Sequence, residues 1–255
     1  MVKISAVIIA FNEEKNIERC LTSLDGIADE IVVVDSFSSD STELLCRPFN
    51  VRFLQHPFEG YMKQKYWACQ QATYDYIVSL DADEAISDEL KQSILNVKLS
   101  WTADGYYCNR RNNYMGKWIR HCGWYPDAKL RLWDRRKGEW SGINLHESVK
   151  MHPNTITSGL QGDLLHYSYT SIRQHLDQIN KFTEIAAQEG VDNAKNSSLF
   201  IALFKSVWKF KRDYLFKLGF MDGYYGFVIS VLSAYAVFVK YIKIIELKKQ
   251  SKQSH

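Results

Sequence analysis

The stretch "IVSLDADEAIS", residues 77–87, decides the fold: a run of β-forming apolar residues that ends in two aspartates one residue apart, with a glutamate directly behind them. Three carboxylates so close together repel one another, and a cation or basic side chains must offset that repulsion. Working outward, the same grammar recurs. "KISAVIIA" is followed by a helical stretch from Asn16 to Leu24, "EIVVVD" by a helix from about Ser41, "VRFL" by a helical stretch from Tyr61 to Ala72, and "YIVSL" by a helix opening at Ser87. Strands alternating with helices predict βαβ units and an α/β fold with a largely parallel central sheet. The near-continuous apolar runs "AVIIA" and "IVVVD" agree, because parallel strands are buried on both faces.

In open α/β sheets, ligands bind beyond the carboxyl ends of the strands. Three predicted strands end there in polar, mostly acidic groups: "AFNEE" (10–14), "DSFSSD" (35–40) and "DADE" (81–84). Singly, each has a structural explanation, since Asn12, Asp40 or Ser41, and Ser87 are all suited to capping the helix that follows. Together they point to one shared ligand. A nucleoside diphosphate fits if a divalent metal bridges its phosphates to the carboxylates, and Asp35 can accept hydrogen bonds from a base or ribose. No G-x-G-x-x-G or G-x-x-x-x-G-K-[ST] loop is present, so the phosphates are not held in a Rossmann or P-loop manner.

Composition sets the bounds. The chain has 255 residues, 46% hydrophobic and 24% charged, enough for one sizeable core or a domain plus an appendage. Its net charge of +3 is unevenly spread: residues 200–255 carry ten Lys/Arg against Asp213, Asp222 and Glu246, which leaves the preceding part acidic. Five cysteines, odd in number and without CxxC spacing, indicate neither a zinc site nor a disulfide framework and suit a reducing compartment. The opening "MVKISAVIIAFNEE" lacks the features of a signal peptide and is expected to be the first strand of a cytosolic domain.

With these residues in place, the chain resembles the inverting glycosyltransferases of family 2, which have the GT-A fold. The resemblance rests on "SAVIIAFNEEKNIERCLTSL", "EIVVVDSFSSDST", the "QK" of Gln64 and Lys65, and "SLDADE", in that order. The later "PDAKLRLW", "NLHESV" and "HYSY" further resemble a branch that includes bacterial lipopolysaccharide-core β-1,4-glucosyltransferases. The resemblance implies that Ala10, Asn12 and Glu13 line the nucleotide pocket, that Asp35 contacts uracil or ribose, and that Asp81 and Asp83 form a DxD pair with Asp83 as the direct metal ligand. It implies further that Lys65 lies near the donor diphosphate, that Asp127 is the catalytic base, with His146 and Glu147 as rivals, and that His166 is an additional metal candidate. Tyr66 departs from the pattern, since many relatives have Asn after "QK". Cofactor and partners implied are Mn²⁺ or Mg²⁺, a UDP-sugar donor, a bacterial glycolipid acceptor and an anionic membrane surface, with no nucleic acid. Two other readings stay open: an aspartyl-phosphate-type phosphotransferase with Asp81 as nucleophile, and a non-catalytic sugar-nucleotide-binding scaffold.

The expected division is a GT-A domain over 1–168 and a helical, basic-amphipathic extension over 169–255, docked peripherally on the cytoplasmic face of the bacterial inner membrane. Ile172, Leu176, Ile179, Phe182 and Ala186 have the spacing of an amphipathic helix, with Gly190 as its C-terminal stop. In "SLFIALFKSVWKFKRDYLFKLGF", Lys205, Lys209 and Arg212 share one face, while Phe200, Phe204, Val207, Trp208, Leu215 and Leu218 spread over the other, the pattern of an interfacial helix. Residues 224–239 are apolar all round but fall short of the roughly 20 residues a span requires, which favours a buried, re-entrant or membrane-docking element.

Overall fold

A computed structural model of the chain describes residues 1–142 and 147–253. The elements, in order, are β1 (Ile4–Ala10), α1 (Ile17–Ser23), β2 (Glu30–Asp35), α2 (Thr42–Cys46), β3 (Arg52–Gln55), α3 (Tyr61–Gln70), β4 (Tyr76–Asp81), β5 (Glu84–Ile86), α4 (Asp88–Leu99), β6 (Gly105–Tyr114), β7 (Lys117–Trp118), β8 (Ala128–Asp134), β9 (Gly138–Ser141), β10 (Ser148–Met151), β11 (Thr157–Tyr169), α5 (Ile172–Asp192), α6 (Leu199–Lys211) and α7 (Gly223–Gln253). A π-helical turn (Arg212–Phe216) and a 3-10 turn (Gly219–Asp222) join the last two helices.

The chain divides into two compact units, one of residues 1–111 and 127–167, the other of 112–126 and 168–255. In the first, the strand order is β3-β2-β1-β4-β8-β6-β11-β5. The half built by the opening βαβ units is parallel: β1 lies between β2 and β4, and β2 pairs with β3. From β4 onward the pairing turns antiparallel, β4 with β8, β8 with β6, and β11 with β5. Side chains alternate across the parallel half and feed two cores. Ile4, Ala6 and Ile8 join Val33, Val78 and Leu80 on one face, while Val7, Val32, Val34 and Ile77 meet Ala68 of α3 and Trp133 on the other. Filling both faces leaves the strand ends as the place where polar groups gather.

Ser87 caps α4, its hydroxyl accepting the Leu90 N–H at 3.3 Å. Asn12 does not cap α1: the N-cap position is Asn16, and Asn12 is bound instead to the loop after β2. Asp40 acts as a turn residue, accepting the N–H and the hydroxyl of Thr42. The five cysteines are all buried and free. Burial pushes the thiols of Cys69 and Cys108 up to about 12.

The second unit takes in residues 112–126, which the sequence groups with the strands before and after them. Tyr114, Ile119 and Cys122 pack with Ile229 of α7, and Asp222 accepts the backbone N–H groups of Arg120 and His121. In α5, Gly190 is not a stop. It lies inside the helix, where a Cβ would come within 2.6 Å of Ile244 Cδ1, so its missing side chain is what lets α7 approach. The buried line of α5 is His175, Ile179, Thr183, Ala187 and Gly190; of the predicted apolar positions Ile179 lies on it, while Ile172, Leu176, Phe182 and Ala186 flank it half-buried. His175 is tolerated there because the Tyr114 hydroxyl meets its Nδ1 at 2.8 Å. The apolar run 224–239 belongs to a 31-residue helix that continues to Gln253.

Candidate active site

The loops after β1 and β2 are stitched together. Asn12, at φ 55°, donates its N–H to Ser38 Oγ at 2.8 Å and accepts the Ser39 N–H at 2.9 Å. Ser38 in turn donates its N–H to Asp35 Oδ2 at 2.8 Å, and its hydroxyl bonds the other carboxylate oxygen. Glu13 donates its N–H to Thr42 Oγ1 at 2.8 Å, and Ala10 accepts the Ser36 N–H at 2.9 Å. Ala10, Asn12, Glu13 and Asp35 therefore converge at one end of adjacent parallel strands. The Asp35 carboxylate has lone pairs left beyond those that Ser38 uses. Burial pushes the Glu13 carboxyl up to about 7; a hydrogen bond from Asn16 opposes the shift, and the charges of Asp83, Asp40 and Asp81 add to it.

The two aspartates after β4 meet different surroundings. Asp81 is held by cations: Lys65 Nζ lies 2.9 and 3.1 Å from its two oxygens, and Arg131 Nη2 lies 3.2 Å from Oδ2. Burial alone would raise its carboxyl, but Lys65 and Arg131 outweigh burial and hold it well below the usual range. Asp83 instead faces His166 of β11, with Oδ2 3.1 Å from Nε2. One carboxylate of the pair is thus neutralised by protein cations, and the other is placed beside an imidazole.

Glu84 ties this pair to the sheet. Fully buried, it accepts Arg131 Nη2 at 2.7 Å and the Asp81 N–H at 3.0 Å, and Arg110 Nη1 lies 3.6 Å away. Arg110 also reaches Asp127, Nη2 to Oδ2 3.0 Å, and Lys129 meets the other Asp127 oxygen at 3.0 Å. Lys65 extends to Glu147 at 3.5 Å and lies 4.8 Å from the centre of the Trp140 ring. Both candidate bases therefore hang on the same charge network, Glu147 through Lys65 and Asp127 through Arg110. His146 lies outside the described residues.

Arg131, Arg110 and Trp140 were not singled out from the sequence, and Glu84 was read there only as the third carboxylate of the acidic run. Arg131 did carry a signal: a charge inside the apolar strand "LRLW" must be paired when buried. Trp133 is core, 1% exposed with its indole N–H bonded to Gly138 O.

Among the described residues no group of three or more His, Cys, Asp or Glu side chains gathers as a ready metal cage. The Asp83–His166 pair nonetheless suits a divalent ion that takes its remaining ligands from a diphosphate, since a carboxylate oxygen and an imidazole nitrogen lie side by side there.

A sheet with a parallel nucleotide-type half and an acidic crest at its strand ends defines a class, and sequence comparison identifies it. Residues 5–152 match the family Glycosyl transferase family 2. The chain belongs to this glycosyltransferase family, and its fold is of the GT-A type. It is 30% identical over 251 residues to an uncharacterized glycosyltransferase of Rickettsia typhi, covering 92% of this chain and 84% of that one. It is 29% identical over 245 residues to the lipopolysaccharide core biosynthesis glycosyltransferase LpsC of Rhizobium meliloti, covering 91% and 87%. Solved structures show partial likeness: S. aureus TarS 1-349 in complex with UDP, at 23% identity and TM-score 0.37, covers 44% of this chain and 36% of that one. Glucosyl-3-phosphoglycerate synthase from Mycobacterium tuberculosis, at 25% identity and TM-score 0.36, covers 45% of each.

Proposed function

We propose that this glycosyltransferase moves a hexose, glucose or a close relative, from a UDP-sugar to a bacterial glycolipid such as a lipopolysaccharide core or a lipid-linked oligosaccharide, with inversion at the anomeric carbon. The observation that carries the reading is the unequal DxD pair: Asp81 is held by Lys65 and Arg131, while Asp83 meets His166. Asp83 and His166 would hold a divalent cation, which when bound neutralises the diphosphate and helps the UDP leave. Asn12 and Asp35 position the nucleoside, Glu13 lies beside them, and Lys65 supplies positive charge next to the diphosphate. Asp127 takes the proton from the acceptor hydroxyl as that hydroxyl attacks, and Glu147 is the rival for this role. A single in-line displacement inverts the centre. The similarity to LpsC, a lipopolysaccharide core biosynthesis glycosyltransferase, supports the choice of acceptor. An acceptor of this kind places the enzyme peripherally on the cytoplasmic face of the inner membrane, with residues 1–168 as the catalytic domain and 169–255 as the membrane-associating extension.

The reading is tested by incubating the purified chain with UDP- and GDP-hexoses and a lipopolysaccharide-core or lipid-linked acceptor, and assigning the anomeric configuration of the product by NMR. A β-linked product from an α-linked UDP-hexose is expected. Transfer only from a GDP-sugar, or retention of configuration, contradicts it.

A further inference from the structure

The helix α6 exposes large apolar side chains that a soluble surface helix would bury. Two of its lysines are tied back to the protein: Lys205, though exposed, bonds the Tyr241 hydroxyl at 2.9 Å, and Lys209, with Arg212 just beyond the helix, pairs with Asp213 at 2.6 and 3.0 Å, while Lys211 stays exposed. Its large apolar side chains face out, Phe200 being 77% exposed and Trp208 52%, with Phe216 of the next turn at 68%. These rings form a row instead of scattered spots: Phe200 stacks on Phe204, and Trp208 lies 5.8 Å from Phe216. Exposed apolar side chains continue through Met221 and Tyr224 into the start of α7. A contiguous patch of this kind marks an interaction site.

Charge says what the patch meets. Of the three acids in residues 200–255, Asp213 and Asp222 are buried, the first under Lys209 and Arg212, the second under the backbone N–H groups of Arg120 and His121. Lys211 and Lys217 stay exposed within the apolar surface. With its acids withdrawn and its lysines left out, the surface complements an anionic one and repels a second copy of itself.

Gly219–Ser251 is the one segment among the described residues long and apolar enough to cross a membrane. Yet α7 is fastened along its length: Ile229 and Ser230 are buried near its start and Tyr241 and Ile244 further on, while Lys243 donates to Asn180 O and Thr183 Oγ1 of α5, each at 3.0 Å. Crossing would strip these contacts and carry Lys240 and Lys243 into hydrocarbon, which is costly.

We infer that the outward face of α6, the two turns after it and the first turns of α7 seat in one leaflet of an anionic bilayer, as an interfacial anchor and not a span. The inference rests on the glycolipid reading for where the enzyme works, and adds the surface and the mode of attachment.

The test is flotation of the full chain with phosphatidylglycerol/phosphatidylcholine vesicles and with phosphatidylcholine alone, at low and high salt. Donor hydrolysis is followed in parallel without lipid. Binding is expected on the anionic vesicles. It should fall roughly tenfold or more in Lys211→Gln/Lys217→Gln and be lost in Trp208→Ser/Phe216→Ser, all of these side chains being exposed, with lipid-free hydrolysis unchanged. A thiol introduced by Gln250→Cys should be labelled by an impermeant maleimide added outside intact vesicles; protection there would mean a span and overturn the proposal. So would failure to float, or patch variants that change only the mass of the chain in solution. Hydrolysis without vesicle binding removes the surface alone. Vesicle binding without any donor turnover leaves the surface standing and removes the function.

Discussion

Glu13 gives the most direct residue-level consequence. Its carboxyl is pushed up to about 7, chiefly by burial, from an ordinary value of 4.5. Between those values the folded chain keeps a proton that the unfolded chain has released. This contribution is therefore fully present below about pH 4.5, is lost as pH rises through about 7, and does not return above it. Because Glu13 is only partly buried, the lost stability is discounted to about 1–2 kcal/mol. Urea unfolding at pH 5 and pH 8 without divalent cations should show the drop in the native chain and a flatter profile in Glu13→Gln; equal slopes for both would refute the burial argument. The two candidate bases separate by substitution. Asp127→Asn should lower kcat by about 10²–10⁴-fold with donor binding little changed, and Glu147→Gln should do less. The reverse order would move the base to Glu147. The carboxylates at the strand ends were legible because an acidic run after a buried strand is a local pattern. The partners of Glu84, Arg110 and Arg131 were not, because they are set by pairings such as Arg131 to Glu84 across 47 positions of sequence.

At the scale of elements, the opening βαβ alternation was plain from apolar runs and helix starts, and Ser87 was legible as a cap. Ser87→Ala removes the acceptor for both the Leu90 and the Asp163 N–H and should cost about 1–2 kcal/mol in thermal or chemical unfolding. The antiparallel half was illegible because strands such as β6 ("GYYCNRRNNY") carry so many polar side chains that no apolar period stands out. Gly190 misled for a related reason. Glycine marks both helix stops and close approaches, and only the contact with Ile244 tells them apart. Gly190→Ala should therefore destabilise by about 1–3 kcal/mol through overpacking against α7, although alanine is the better helix former. Stabilisation by this substitution would mean that the two helices do not pack as closely as described. The ties of Lys205 to Tyr241 and of Lys209 to Asp213 were likewise hidden, since a helical pattern defines two faces without naming the partners of either.

For the molecule as a whole, the family match ends at residue 152 and the chain continues as a helical unit with its own buried clusters. Its inclusion of residues 112–126 could not be read from order along the chain, because that segment is joined to the helices by tertiary contacts such as Asp222 to the His121 N–H at 2.8 Å. The net charge divides in the same way, an acidic crest on the strand ends and a cation-rich tail.

In the proposed mechanism Asp83, beside His166, serves metal-assisted release of UDP. This role is tested most directly by measuring UDP release from the productive UDP-hexose by the native chain and by Asp83→Asn, each with Mn²⁺ and with chelator. The account predicts turnover in the native chain with metal, its loss in chelator, and no metal-stimulated turnover in the variant, whose unfolding curve remains that of the native chain. A native chain equally active in chelator, or an Asp83→Asn chain that retains metal-stimulated turnover, would contradict it.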